Sequence, residues 1–106
     1  MFEKIKFDVS GLVPAVIQDD KSGDVLTLCY MNMDALRKTV ETGNVHVWRR
    51  SRGMLMMKGV TSGCVQKVKS ISADCENNSI LVRVEQTGVA CHTGERTCYF
   101  RKIWPA

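Results

Sequence analysis

Cys75, Cys91 and Cys98 fall in one stretch, Asp74 to Cys98, that also holds His92, one of only two histidines in the chain. Thiolates and imidazoles are the side chains that bind zinc and related metals best, so a fold that uses them as ligands must gather residues distant in sequence. Fifteen residues separate Cys75 from Cys91 and six separate Cys91 from Cys98. The tight ligand pairs of a zinc ribbon or finger are therefore missing. Three thiolates gathered by folding leave a fourth position open, as catalytic zinc sites do. His92 directly follows Cys91 and is the candidate general base. The competing reading is that these cysteines are small buried hydrophobes, and spacing alone does not separate the two.

The rest of the chain is read against that constraint. Its 106 residues have the length of one domain, residues 1–106, and a domain so small is often helped by a metal or by oligomerisation. The opening MFEKIKFDVS has no apolar core of a signal peptide. No apolar run approaches the roughly 20 residues that cross a bilayer, so no membrane partner is expected. An odd cysteine count without an export signal points to a reducing cytoplasm, where cysteines serve as ligands more often than as disulfides. The net charge of +4 suits a small phosphorylated metabolite and does not by itself argue for nucleic acid. Nucleic acid is disfavoured further because the basic residues lack interleaved aromatics.

Periodicity and punctuation predict the elements. Gly11 to Gln18 and Val25 to Met31 read as two strands around the Asp19–Asp24 turn cluster, a hairpin. Asn32 is an N-cap for a helix that Gly43 stops. Val45 to Trp48, Met54 to Met57, Val65 to Ala73 and Ile80 to Glu85 follow as strands, and Thr97 to Trp104 is expected to close the chain as a last one. Sequential hairpins with one clear helix predict an α+β domain on a mainly antiparallel sheet. His46 and the methionines at 54, 56 and 57 are assigned to packing.

A second constellation is basic and glycine-flanked: Arg49, Arg50, Ser51, Arg52, Gly53, then Lys58, Gly59, Thr61 and Ser62. Guanidinium forks match phosphate oxygens, and glycine lets backbone N–H groups approach an anion. The alternative is a solvated basic turn.

Six motifs carry a resemblance: G-L-V-P-A-V-I-Q-D, Y-M-N-x-x-A-L-x-x-T-x-E-T-G, S-R-G-x-L, K-G-x-T-S-G-x-V-Q-x-V, D-C and A-C-H-T-G-E-R-T-C-Y-F-R. Together they resemble the phosphoribosyl-AMP cyclohydrolase family of histidine biosynthesis, from about Gly11 to Arg101. The resemblance implies an intertwined homodimer. It implies zinc held by Cys75 of one chain with Cys91 and Cys98 of the other, and His92 as the catalytic residue. It implies magnesium at Asp74, Glu76 and Asn78, and substrate phosphates met by Arg50, Ser51, Arg52, Lys58, Thr61 and Ser62. The activity implied is hydrolytic opening of the N1–C6 bond of the adenine ring of phosphoribosyl-AMP.

The chain departs from the family pattern at functional positions. Glu76 and Asn78 replace two aspartates of D-C-D-x-D, which weakens a magnesium site that wants hard anionic oxygens. Val60 replaces the glutamate of K-G-E-T-S-G, Met56 a tryptophan, and Cys64 a histidine or asparagine. Two other readings follow: a paralogue using the same zinc-hydroxide chemistry on a different nucleotide or heterocycle, or a zinc-stabilised nucleotide-binding dimer without turnover.

Overall fold

A computed structural model describes residues 2–59, 62–91 and 93–105. The element order is β1 (Val13–Asp19), β2 (Val25–Met31), α1 (Met33–Thr42), β3 (His46–Arg49), β4 (Met54–Met57), β5 (Gln66–Ala73) and β6 (Ile80–Gln86). The fold is α+β, as the sequence pattern predicts. One four-stranded sheet runs β2-β1-β6-β5, and β3 pairs with β4 in a two-stranded sheet.

The predicted hairpin forms because Asp19 and Asp24 close it. Asp19 donates its N–H to the Asp24 carbonyl at 2.8 Å, and Gly23 donates to the Asp19 carbonyl at 2.9 Å. β1 then alternates strictly, with Val13, Ala15, Ile17 and Asp19 buried. On its other side β1 meets β6 in parallel, Ala15 against Ile80 and Ile17 against Val82. This pairing joins residues more than sixty positions apart and has no local signature; all other strand pairs are antiparallel.

The helix begins where Asn32 accepts a hydrogen bond from Ala35 N at 2.8 Å. It ends where Gly43, at φ 76°, donates back to the Thr39 carbonyl. Its buried face is Ala35, Leu36 and Thr39. Thr39 Oγ1 accepts from His46 N at 2.9 Å and donates to the Ala35 carbonyl at 2.8 Å, which ties the helix to β3. His46 itself is buried, with Nδ1 2.8 Å from the Asn44 carbonyl oxygen. Leu36, Val45 and Val47 join the inward residues of β1 and β6 in one core.

The expected strand over Thr97 to Trp104 does not form. Cys98 N donates to the Leu26 carbonyl on the free edge of β2, at 2.7 Å, and Thr97 Oγ1 reaches the Val25 carbonyl. Beyond that point the backbone leaves the edge. Tyr99, Phe100, Ile103 and Trp104 stand 49–87% exposed. Their aromatic and β-branched composition mimics a strand without a partner for one.

Candidate metal and substrate site

Local hydrogen bonds join Ala90 and Cys91 to Glu95 and Arg96 and so close a loop. Ala90 N donates to the Arg96 carbonyl at 3.1 Å, Cys91 N to the Glu95 carbonyl at 3.2 Å, and Gly94 N back to the Cys91 carbonyl. The loop therefore starts and finishes at one place, with Cys91 buried on its first limb and Cys98 pinned to β2 on its last. Thr93 donates its hydroxyl to Cys91 Sγ at 3.0 Å. That bond and the Thr93 backbone N–H hold the Cys91 thiol below the usual thiol range, with lesser help from Cys98 and Lys58, against the opposing effect of burial. A thiol biased toward thiolate is the form a metal binds.

Cys91 and Cys98 open onto a cleft of about 360 Å³ shared with Arg49, Lys58, Ser62 and Cys64. Of the predicted phosphate partners, Lys58 and Ser62 therefore lie with the cysteines. Arg50, Ser51 and Arg52 sit in the exposed β3–β4 turn. The Arg50 guanidinium stacks 3.9 Å from the Tyr30 ring centroid, in a neighbouring hollow that Arg49 also borders. Arg49 thus joins the two hollows. Thr61, Val60 and the candidate base His92 lie outside the described residues.

Cys64 is wedged into this wall: a Cβ on Gly88 would stand 2.6 Å from Cys64 Sγ, and Gly88 has a φ of +74° that disfavours side chains. Cys29, on β2, packs against the core. Burial pushes its thiol up to about 12 despite Lys58, which makes it an inert packing residue.

Asp74, Cys75, Glu76 and Asn78 occupy the turn between β5 and β6. Asp74 Oδ1 accepts from Asn78 N at 2.9 Å and Ser79 N at 3.3 Å. Desolvation pushes the Asp74 carboxyl up, but the Asn78 amide with the Ser79 hydroxyl and amide outweighs it and holds the group below the usual range. Asn78 Nδ2 donates to Glu76 Oε2 at 3.3 Å. Part of the predicted magnesium ligand set is thus engaged within the turn. Cys75 is exposed, in the turn before β6, whereas Cys91 follows the end of that strand. A strand of seven residues spans roughly 20 Å at about 3.3 Å per residue. Among the described residues no three His, Cys, Asp or Glu side chains of a single chain come within reach of one ion.

A sequence profile of phosphoribosyl-AMP cyclohydrolase matches residues 27–100, which spans β2 through the cysteine loop. The chain belongs to the phosphoribosyl-AMP cyclohydrolase family. This is a family of enzymes, and relatives agree over nearly the whole length. A phosphoribosyl-AMP cyclohydrolase of Methanosarcina barkeri is 53% identical over 102 residues, 96% of this chain and 78% of the relative. Its counterpart in Trichormus variabilis is 48% identical over 103 residues, 96% of this chain and 89% of the relative. In Prochlorococcus marinus a histidine biosynthesis bifunctional protein is 48% identical over 102 residues, 95% of this chain but only 46% of that longer protein. The cyclohydrolase family membership covers both the loop bearing Cys91 and Cys98 and the turn bearing Cys75. Arg49, a member of the basic run in the sequence, borders the cleft, whereas sequence reasoning gave Arg96 no role. The partners of Arg96 are far away in sequence. No helix of the described residues is long and apolar enough to cross a membrane.

Proposed function

We propose that this chain is a zinc-dependent hydrolase that opens the N1–C6 bond of the adenine ring of phosphoribosyl-AMP, a step of histidine biosynthesis. The observation that carries the reading is the family match over residues 27–100, which includes Cys75, Cys91 and Cys98. The donor set fits zinc: two thiols are fixed on one loop, and one of them is biased toward thiolate by Thr93. The third, Cys75, forms no three-residue ligand group with them among the described residues of one chain, which supports a homodimer in which each ion is shared between subunits. The exposed apolar tail, Tyr99 to Trp104, supports the same assembly, since a monomer rarely leaves such a patch in water. Bound by the three cysteines, zinc supplies the Lewis acidity that makes water a nucleophile near neutral pH.

The remaining chemistry belongs to the chain's own residues. Substitution at N1 makes the substrate ring amidinium-like and C6 electrophilic. His92 takes a proton as water attacks C6 and returns it as the N1–C6 bond breaks. Lys58 and Ser62, in the cysteine cleft, and Arg50, Ser51, Arg52 and Thr61 bind the substrate's phosphates. Magnesium at Asp74, Glu76 and Asn78 is a weak site, because two carboxylates remain and both are partly spent on the turn. The five free cysteines accord with a cytoplasmic location.

Purified zinc-replete protein incubated with phosphoribosyl-AMP is expected to open the ring, followed by absorbance. His92→Ala should lower the rate by about 10²–10⁴-fold, the usual share of a general acid–base. No turnover by metal-loaded wild type would overturn the reading.

A further inference from the structure

We propose that Arg96 is the positioning residue of the metal site, fixing the spacing of Cys91 and Cys98 by anchoring their loop to the β1–β2 turn. This rests on the zinc reading above. Arg96 stands between the two cysteines in sequence, and both ends of its residue are engaged. Its carbonyl accepts the Ala90 N–H, which closes the loop beside Cys91. Its side chain reaches back more than seventy residues. Nε donates to Asp24 Oδ2 at 3.1 Å and Nη2 to Ser22 Oγ at 2.9 Å, with Asp19 Oδ2 3.5 Å from Nη2.

The receiving turn is itself held by hydrogen bonds. Asp19 is buried and accepts from Ser22 N at 2.8 Å, and Ser22 Oγ accepts from Asp24 N. The planar fork of arginine therefore meets three fixed acceptors, a geometry that a lysine point charge does not reproduce. Immediately after Arg96, Thr97 and Cys98 bond to the carbonyls of Val25 and Leu26, so the same turn-and-strand corner sets both limbs of the loop. An exposed ion pair adds little to stability. What this one adds is registry: the second sulfur is delivered at a fixed offset from the first.

A matched control reaches the same β1–β2 turn. Arg83 pairs with Asp20 at 3.0 Å and donates to the Asp20 carbonyl, and among the described residues it makes no hydrogen bond or ion pair with the cysteine loop. Zinc affinity of the full chain, by competition with a chromophoric chelator, is expected to fall about tenfold or more in Arg96→Gln, the range seen when supports of metal ligands are removed. Arg96→Lys should fall between Arg96→Gln and wild type, and Asp24→Asn should weaken binding in the same direction. Arg83→Gln should bind as wild type does. Cobalt substitution gives a second readout: the thiolate charge-transfer band should shift or lose intensity in Arg96→Gln. Melting curves verify that each variant is folded at the assay temperature; if Arg96→Gln is not, Asp24→Asn carries the comparison. Wild-type affinity and an unchanged cobalt spectrum in Arg96→Gln, or equal losses in Arg83→Gln, would overturn the inference and leave the zinc reading standing. Failure of wild type to bind zinc would overturn both.

Discussion

Asp19 illustrates how much one side chain of this small protein is asked to do. It ends β1 with its carboxylate buried, accepts the Ser22 N–H and faces Arg96. The Ser22 amide, ahead of the opposing burial and the Arg96 charge, holds its carboxyl below the usual range. A depressed carboxyl contributes stability above its unfolded pKa, near 3.9, and the contribution disappears as pH falls through the folded value. Asp19→Asn should therefore melt lower than wild type at pH 7, and the gap should close as pH drops below about 4. Hydrogen bonds of this kind are worth on the order of 1 kcal/mol, which in a chain of this size moves the midpoint by about 4–8 °C. A gap that persists unchanged at pH 3 would show that the carboxylate's charge plays no part.

Among the elements, α1 is the one whose stability is most local. Asn32→Ala removes the side-chain acceptor for Ala35 N and should cost about 1 kcal/mol in denaturant unfolding, with Asn32→Asp nearly neutral. An equal loss in both variants would mean that the cap acts through packing instead. The same locality made this helix legible in the sequence: cap, apolar face and glycine stop lie within twelve residues of one another. The β1–β2 hairpin was legible for the same reason, since its turn chemistry is contiguous. The parallel β1–β6 pair was not, because nothing near Ala15 announces Ile80. The tail was misread as a strand because Tyr99, Phe100, Ile103 and Trp104 carry strand propensity while finding no edge to join. In the site, Cys75, Cys91 and Cys98 stood out by residue type, and Lys58 and Ser62 by their glycine-flanked loop. Arg49 stood out only as one member of the basic run, and Arg96 not at all, since only the fold reveals what it meets.

At the scale of the whole molecule, the account turns on a division of labour between copies. Each chain carries Cys91 and Cys98 on the loop after β6 and Cys75 in the turn before it. On the proposed zinc reading a complete site takes two chains, and each dimer would hold two such sites. Co-expression of Cys75→Ser with Cys91→Ser tests this directly, because a mixed dimer regains one intact site from the unaltered Cys75 of one subunit and the unaltered Cys91 and Cys98 of the other. Each variant alone should be inactive on phosphoribosyl-AMP. Random pairing of the two should restore about a quarter of wild-type turnover, since about half the dimers are mixed and each has one good site of two. Inactivity of the co-expressed pair, with mixed dimers verified by mass, would contradict a site shared between subunits.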